Sequence, residues 1–503
     1  MSDIAEVGLE IARLTALQLL EAYASKELSP VEVVEVLLQR IDELDRSNFK
    51  LNSLITVSER AFEEAKSAER DIYKRASTQR CLGLPIVVKD NIDTKDLRTT
   101  AGSLALANSP LPKSDATVVR RLREEGAIVI GKSNLSEWSN FRGVGSSSGW
   151  SGLGGQSRNP HALDRSPGGS SSGSAAAVAA MFTPVALGSE TDGSIHCPAS
   201  LCGVAGFKPS VGRVSRNGVI PISTNQDTVG PLARSAEDLA FILSIIQGKD
   251  LSDEMTVSYF SSVQRSEIRA HSNLRLGIPS NHISQYSSST LSVFENAVEA
   301  LKDADIEIVE VVDSDTPLVL VEEDELTVFV YEMSIALNRY LTDRSAEGAS
   351  SIAEIVQFNT THSLQELPLF GQEYLEMATD SGKLDQFKYR AALDSNRNLA
   401  RNGIDTILTR FELDAIVTPA MGPAWLIDHI NGDSPSPASY SYAAVAGYPS
   451  VSVPMGTVGG LPVGLLMFSS INTDDHLIKL AEIVQKTLCI DMSPTFRENS
   501  NFA

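Results

Sequence analysis

Two Gly/Ser-rich turns lie close together near the middle of the 503-residue chain, and their residue types could carry out chemistry on a carbonyl group. The first turn is GGSSSG at residues 168–173, and the second is TDGS at residues 191–194. A small-residue helix pattern (SAAAVAAMF) and an apolar strand pattern (PVALG) join them. Glycine lets backbone N–H groups approach a reacting carbonyl closely, and serine supplies a hydroxyl that could attack it. The stretch therefore predicts a nucleophilic serine next to N–H groups that stabilise an oxyanion.

A lysine follows a predicted buried strand further upstream. The apolar run Leu84–Val88 leads directly into Lys89-Asp90-Asn91. Most Lys-Asp pairs at the end of a strand simply reach solvent. Burial would instead disfavour the charged ammonium and could lower the pKa of a lysine by several units. A lysine held neutral in this way could act as a base, and the residues by themselves leave both interpretations open.

These segments resemble the signature of the amidase signature family, in which GGSS(G/S)G is followed by a (D/E)TxGS(I/V)R-like turn. Ser170 and Ser194 are 24 positions apart, as is the serine pair of that family. Further segments resemble the family in the same order, so that the resemblance covers most of the chain: LGLPIVVKDNID at 82–93, GQSRNP at 155–160, AGYPSVSVP at 446–454 and GLPVGLLMF at 460–468.

The resemblance implies a role for each of these residues. Ser194 corresponds to the nucleophile, Ser170 to a bridging serine that follows a cis peptide bond, and Lys89 to the base. It further implies that Gly169 and Val144 lie near the substrate and that neither a metal nor a cofactor takes part. The oxyanion hole would be formed by the backbone N–H groups of Thr191, Asp192, Gly193 and Ser194.

Two residues depart from the pattern of the family. Asp192 stands where many members have glycine, and His196 stands where they have arginine. A carboxylate next to an oxyanion hole is unhelpful unless it points away, so we expect Asp192 to turn outward and bond the backbone or a substrate amine. His196 is too close to Ser194 in sequence to reach its hydroxyl easily, so we expect a structural role for it.

A literal match to a phosphate-binding loop occurs at Gly126, followed after four residues by Gly131-Lys132-Ser133. A real phosphate loop needs a strand before its first glycine and a flexible turn between the glycines. Here a predicted helix precedes Gly126, and the residues between the glycines, AIVI, are themselves a strand pattern. The sequence therefore argues against nucleotide binding.

A second literal match is to the nucleophile elbow GxSxG, at residues 169–173. That motif requires a strand immediately before it, and residues 159–167 (NPHALDRSP) have no strand pattern. The missing strand disfavours a Ser-His-acid site at this motif. The number of histidines does not exclude such a site, because six histidines follow the motif.

The resemblance and the residue patterns together predict an α/β fold: a single large domain whose central mixed, twisted β-sheet is covered on both faces by α-helices. Residues 1–75 are expected to form an N-terminal helical layer, with two helices over 5–45 and a third over 58–75. The remaining chain, 76–503, would be the amidase signature domain. Within it we expect a signature core at 80–235, a βαβ-like unit at 274–312 and a variable helical region at about 320–400.

The Gly/Ser-rich connection at 134–160 would be an ordered wall of the substrate pocket, because Trp138, Phe141 and Trp150 are interleaved with its small residues. Four scattered cysteines, Cys81, Cys197, Cys202 and Cys489, predict reduced and buried thiols instead of a disulfide framework.

Composition restricts the partners of the protein. A net charge of −22 disfavours nucleic acid and anionic membrane surfaces as partners. The sequence has neither a signal peptide nor an apolar run of membrane-spanning length, so we expect a cytoplasmic protein, although an exported form whose signal was removed would look the same. A monomer or homodimer is expected.

The resemblance implies an amidase that converts a carboxamide to a carboxylate and ammonia through an acyl-enzyme. ETDGSI, NLSEWSNFRG, SGWS and GGQSRNP are most similar to the bacterial peptide amidase branch, which implies the C-terminal amide of peptides as substrate. Three alternatives are a broad-specificity aliphatic or aryl amidase, the glutaminase-type component of an amidotransferase that works on glutamyl-tRNA, and a non-catalytic protein of the same fold.

Overall fold

The computed structural model describes residues 2–74, 78–262, 274–312, 318–344, 348–379 and 385–500. Thirteen strands occur in these residues, and eleven of them form one central sheet. The strands are β1 (Leu54–Val57), β2 (Pro85–Lys89), β3 (Ile128–Ser133), β4 (Trp150–Ser151), β5 (Gly155–Gln156), β6 (Val185–Glu190), β7 (Ala205–Lys208), β8 (Thr228–Ala233), β9 (Arg275–Pro279), β10 (Glu307–Val311), β11 (Ala415–Pro419), β12 (Ser450–Val458) and β13 (Leu461–Phe468).

Eighteen α-helices are present in the same residues, together with a π-helical turn at Ile41–Asn48. They are α1 (Ser2–Arg13), α2 (Ala16–Ser25), α3 (Pro30–Arg40), α4 (Ala61–Lys74), α5 (Thr117–Glu124), α6 (Ser172–Ala179), α7 (His196–Cys202), α8 (Ala236–Ile246), α9 (Glu254–Ser262), α10 (Ser280–Ile283), α11 (Ser288–Asp303), α12 (Glu322–Arg344), α13 (Ile352–Thr361), α14 (Ser363–Glu366), α15 (Glu373–Thr379), α16 (Gln386–Arg410), α17 (Ser441–Ala446) and α18 (Asp474–Leu488).

The large sheet is mixed, with the order β1-β3-β2-β6-β8-β7-β12-β13-β11-β9-β10. Strands β2 and β6 are neighbours and run parallel, with Ile86 opposite Val185 and Val88 opposite Leu187. The carboxyl ends of neighbouring parallel strands meet at one edge of a sheet, which is where α/β proteins place their sites. The chain leaves β2 at Lys89 and leaves β6 just before the turn at 191–194, so the register brings these two segments together.

Both faces of the sheet are covered by helices. In β2, Ile86 and Val88 join a core cluster that includes Leu239 of α8 and Leu477 of α18. Val87, which points to the opposite face, joins a second cluster with the small residues Ala175–Ala180. Strands buried on both faces read as continuous apolar runs, as PIVV does here. The predicted α/β architecture, with a mixed sheet between helical layers, is confirmed.

The N-terminal region differs from the prediction in two ways. Three helices, α1 to α3, occupy the segment where two were expected, because Thr15 forms a capping box with Gln18 that starts a new helix. The predicted cap at Ser29, with Pro30 as the first helical residue, is present. Strand β1 was not predicted, and it pairs antiparallel with β3 at the edge of the central sheet. The helical layer is therefore also part of the sheet, and a domain boundary after residue 75 stays a prediction.

Other predicted elements are present. The βαβ unit is formed by β9, α11 and β10, whose two strands pair in parallel. The variable region contains α12 to α16, with residues 345–347 and 380–384 outside the described residues.

In the phosphate-loop match, helix α5 precedes Gly126, and Gly131-Lys132-Ser133 lies within strand β3. No named strand of the described chain lies in 159–167, ahead of the GxSxG match.

The three aromatic residues of the 134–160 connection are all buried, as predicted. The four cysteines are free thiols, and Cys489 differs from the expectation because it is exposed. Within the described residues, none of the helices is both long enough and apolar enough to cross a bilayer.

Candidate active site

Lys89 is the last residue of β2, and its side chain is fully buried. Its Nζ lies 2.8 Å from Ser170 Oγ, 3.0 Å from Ser189 Oγ and 3.3 Å from the Ser189 carbonyl oxygen. Burial lowers the pKa of Lys89 to about 7, against a weaker opposing effect of the Asp227 and Glu190 carboxyl groups. The amine is therefore a substantial fraction neutral at neutral pH, and its partners are two hydroxyls and a carbonyl.

Ser170 belongs to the first Gly/Ser-rich turn, which leads into helix α6. The peptide bond between Gly169 and Ser170 is cis, as the resemblance implies. Ser170 is fully buried. Ser189 Oγ, near the end of β6, also accepts a hydrogen bond from Asn91 Nδ2 at 2.8 Å. Ser189, which Asn91 holds in place, thus fixes the position of the lysine amine together with Ser170.

The second turn, 191–194, links the end of β6 to helix α7. Glu190 Oε2 accepts hydrogen bonds from the backbone N–H groups of Ile195 at 2.7 Å and His196 at 3.1 Å. Thr191 Oγ1 donates to Asp227 Oδ1 at 2.6 Å. Gly193 has a φ of +72°, a conformation that favours glycine. Contacts before, within and after the turn therefore fix its backbone.

Three backbone N–H groups of this turn are unoccupied. No described residue accepts a hydrogen bond from the N–H group of Asp192, Gly193 or Ser194. The turn is also joined to the first one, because the Ser171 N–H donates to the Ser194 carbonyl oxygen at 3.0 Å. The two Gly/Ser-rich turns are thus neighbours in space, and the N–H groups of the second turn are available to a ligand.

Ser194 lies at the wall of a cavity of about 460 Å³. The connection at 134–160, both turns and the helical region all contribute to this wall. Five aromatic side chains are among the lining residues: Phe141, Phe329, Tyr374, Trp425 and Tyr440. The volume and the aromatic wall are typical of a small-molecule or peptide pocket.

Gly169 and Val144 were both predicted to lie near the substrate, and the structure places only the first of them at the main cavity. Gly169 lines the cavity beside Ser194. Val144 is 60% exposed and lines a separate pocket of about 180 Å³, while Gly143 and Gly145 on either side of it line the main cavity. The Val144 N–H donates to Glu373 Oε2 at 2.9 Å, which ties this part of the connection to helix α15. A substrate contact by Val144 stays a prediction.

Asp192 also lines the cavity. Its Oδ2 accepts a hydrogen bond from Ser441 Oγ of α17 at 2.9 Å, where a bond to the backbone or to a substrate amine was expected. Burial raises the pKa of Asp192 well above its usual range, and the carboxyl groups of Glu325 and Glu190 act in the same direction.

His196 is fully buried against strand β12. Its Nε2 lies 2.7 Å from Ser450 Oγ and its Nδ1 lies 3.3 Å from Ser452 Oγ. Burial lowers the pKa of His196 to about 4, so the ring is neutral. Both ring nitrogens are engaged by serines of β12, as a structural role requires.

The sequence analysis missed three residues of this site. Ser189 was the one that a pattern could have indicated, because it is a polar residue near the end of an otherwise apolar strand. Tyr440 and Ser441 come from a segment about 250 positions further along the chain and carry no motif. Among the described residues, no group of three or more His, Cys, Asp or Glu side chains could hold a metal ion.

Known proteins resemble this chain over most of its length. The family model described as Amidase matches residues 32–478. A probable amidase of Arabidopsis thaliana is 35% identical over an alignment of 486 positions, which covers 94% of this chain and 90% of the relative. A glutamyl-tRNA(Gln) amidotransferase component from Caldanaerobacter subterraneus subsp. tengcongensis is 33% identical over an alignment of 510 positions, which covers 97% of this chain and 99% of the relative.

Among solved structures, the native peptide amidase from Stenotrophomonas maltophilia is 40% identical and superimposes with a TM-score of 0.88. The match covers 96% of this chain and 99% of that enzyme. The family model and the relatives span the signature segments, the central sheet and the helical region alike. The chain therefore belongs to the amidase signature family and is an amidase that acts on carbon–nitrogen amide bonds.

Proposed function

We propose that the protein hydrolyses the C-terminal carboxamide of peptides to a carboxylate and ammonia, with Ser194 as nucleophile, Ser170 as proton relay and Lys89 as base. The observation that carries this proposal is the buried Lys89 amine, 2.8 Å from Ser170 Oγ and with its pKa lowered to about 7. A general base works best when its pKa lies near the working pH.

The first half of the reaction forms the acyl-enzyme. Neutral Lys89 accepts the proton of the Ser170 hydroxyl, and Ser170 accepts the proton of Ser194 as Ser194 Oγ attacks the amide carbon. The proton then returns along the same route to the amide nitrogen, the C–N bond breaks, and ammonia leaves. In the second half, water adds to the ester carbonyl, gives up a proton to the same relay, and releases the carboxylate and free Ser194.

The unoccupied N–H groups of the second turn would stabilise the charge on the carbonyl oxygen in both halves. The N–H groups of Asp192, Gly193 and Ser194 lack protein partners among the described residues, and the resemblance adds that of Thr191. Such donors are fixed before the reaction, so they need no reorganisation, and removing one typically lowers the rate by about 10²- to 10³-fold.

A peptide is proposed as substrate because of the cavity. Its volume of about 460 Å³ is larger than a small aliphatic amide would fill, and its aromatic wall could contact the side chains of a peptide. The 40% identity to a peptide amidase over nearly the whole chain supports the same choice. The 33% identity to an amidotransferase component keeps a glutaminase role as the competing function. It would require free glutamine as ammonia donor and further protein partners.

We further propose that the enzyme works in the cytoplasm as a monomer or homodimer, without a metal, a cofactor or a nucleic acid partner. The net charge of −22 supports this view, because it disfavours polyanionic partners.

The test is ammonia release from a panel of amidated peptides, free glutamine, and small aliphatic and aryl amides. We expect the peptide amides to be turned over with the highest kcat/KM. Preferential turnover of free glutamine, or of propionamide and benzamide, would contradict the peptide assignment and leave the amidase mechanism in place.

The residue roles are tested by covalent labelling with a sulfonyl fluoride and by variants. The reagent should add its mass at Ser194, and Ser194→Ala should abolish both labelling and turnover. Lys89→Ala should be nearly as damaging. His196→Ala is the control, and it should retain most of the activity. A His196→Ala variant as inactive as Ser194→Ala would contradict the role of the lysine.

A further inference from the structure

The cavity has an acidic wall. The carboxyl groups of Asp192 and Asp433 line it, and none of its described lining residues is a lysine, an arginine or a histidine. Lys89, the proposed base, is buried beside Ser170 and is not part of this wall. Its pKa is lowered to about 7. A substrate that enters therefore meets carboxyl groups and no fixed cation along this wall.

The two carboxyl groups differ in their partners. Asp433 has both oxygens engaged, Oδ2 by the Ser148 N–H and Oδ1 by Trp425 Nε1, each at 2.9 Å. Asp192 accepts from Ser441 through Oδ2, and its Oδ1 has no hydrogen-bond partner among the described residues. Asp433 is thus held as part of the wall, while Asp192 has an acceptor that the protein leaves unused.

Further carboxyl groups lie near Asp192 and make this part of the cavity more acidic. Glu325 of α12 and Glu190 of β6 both raise the pKa of the Asp192 carboxyl group. Lys208 of β7 lowers this pKa, but its effect is weaker than that of either glutamate. Burial also raises the pKa of Glu325, to about 7. A cation placed in the cavity would favour the ionised form of these carboxyl groups, whereas an anion would add a further like charge. Like charges that are brought together out of bulk water repel strongly.

We infer that the side chain of Asp192 makes this enzyme selective for the charge of its substrate. Carboxamides that are neutral or carry a cation near the scissile bond are good substrates, and those with a carboxylate there are poor ones. The inference rests on the proposed hydrolysis of carboxamides. It concerns the Asp192 side chain, whereas the proposed oxyanion hole uses the backbone N–H group of the same residue.

The same field acts on the product. Hydrolysis turns a neutral carboxamide into a carboxylate, which then lies beside Ser194 and Asp192. This new anion has no cationic partner among the described residues of the acidic wall, which favours release of the acid. For the same reason a free α-carboxylate, as in glutamine, finds no cationic partner among the described residues of the cavity wall.

The experiment compares three matched substrates, acetyl-Phe-Lys amide, acetyl-Phe-Gln amide and acetyl-Phe-Glu amide, at pH 8.5. Gln and Glu have nearly the same shape, so their ratio isolates the charge. We expect kcat/KM to decrease in the order Lys, Gln, Glu, with a Gln-to-Glu ratio of about tenfold or more. In Asp192→Asn this ratio should fall towards one, whatever the absolute activity of the variant, because the ratio is taken within one enzyme.

Two further variants complete the test. Glu325→Gln should lower the Gln-to-Glu ratio partly. Asp343→Asn removes the same charge from the exposed end of the same helix, α12, and should leave the ratio unchanged. Asp343 is 18 positions from Glu325, about 27 Å along the helix axis.

The possible failures are distinct. If none of the three peptide amides releases ammonia, the proposed function is wrong. If all three are hydrolysed with equal kcat/KM, the proposed function stands and the charge selectivity is wrong. If the selectivity is present and Asp192→Asn keeps it unchanged, the assignment to Asp192 is overturned.

Discussion

The ring of Tyr440 lies directly against Gly193 of the proposed oxyanion turn. A Cβ atom built onto Gly193 would come within 2.2 Å of Cε2 of Tyr440. The next residue, Ser441, donates its hydroxyl to Asp192, the residue before Gly193. A segment from the last fifth of the chain thus packs against the turn that holds Ser194, and it restricts both the conformation and the side chain at position 193.

We predict that Gly193→Ala lowers kcat by about 10²-fold or more, because the new methyl group must displace the Tyr440 ring or shift the N–H groups of the turn. Gly145→Ala is a matched control. Gly145 lines the same cavity with a similar φ of +74°, and a Cβ there meets no atom within 4 Å. Steady-state kinetics on one peptide amide would check both variants. Equal losses would point to backbone strain instead of the contact with Tyr440.

The rate should depend on pH through Lys89. Burial lowers the pKa of this lysine to about 7, and the proposed base is its neutral form. We therefore predict that kcat/KM rises about tenfold per pH unit below pH 7 and levels off above it. The measurement is a pH–rate profile with a neutral peptide amide. A profile that is flat between pH 5.5 and 8 would contradict the role of Lys89.

Stability should depend on the same group. The folded pKa of Lys89, about 7, is below the ordinary value of 10.5, so the unfolded chain binds more protons between these two pH values. The penalty for burying Lys89 is thus complete below pH 7 and disappears as the pH approaches 10.5. Relative to the natural chain, Lys89→Met should gain about 2–5 °C more in Tm at pH 6 than at pH 9.5. Calorimetry of both proteins at the two pH values would check this, and an equal difference would contradict it.

Arg142 should be essential to the cavity wall. It is fully buried, and its Nη1 donates to Glu137 Oε1 at 2.8 Å and to the Glu366 carbonyl oxygen at 2.6 Å. Burial raises the pKa of Glu137 to about 8 even with the guanidinium beside it. The Glu366 carboxyl group is also buried, 3.9 Å from Nη1. Removing the cation would leave the carboxyl groups of Glu137 and Glu366 without it, which typically costs about 3–5 kcal/mol. We predict that Arg142→Met lowers the free energy of unfolding in urea by that amount.

The matched control for Arg142 is Arg339→Met. Arg339 pairs with Asp343 at 3.9 Å on the surface, where the two side chains are 84% and 75% exposed. Such pairs contribute little, so we expect no measurable change in the urea midpoint. If Arg142→Met were equally harmless, the buried ion pair would not hold the 134–160 connection to the helical region.

The sequence by itself determined the architecture and the two turns of the site. Apolar runs such as PIVV predicted strands buried on both faces, and glycine and serine spacing predicted the turns at 168–173 and 191–194. These signals are local, because a strand or a turn is specified by residues adjacent in the chain. For the same reason the sequence argued against the phosphate-loop match, since a helix pattern precedes Gly126 and the strand pattern AIVI lies between the two glycines.

Only the tertiary structure decided which groups surround these turns. Ser189 reaches Lys89 because β6 pairs with β2 in one particular register, and the edge strand β1 was missed because four residues gave no clear period. Tyr440 and Ser441 contact a turn almost 250 positions away. Contacts of this kind depend on how distant segments pack around a common core, and no short stretch of sequence carries that information.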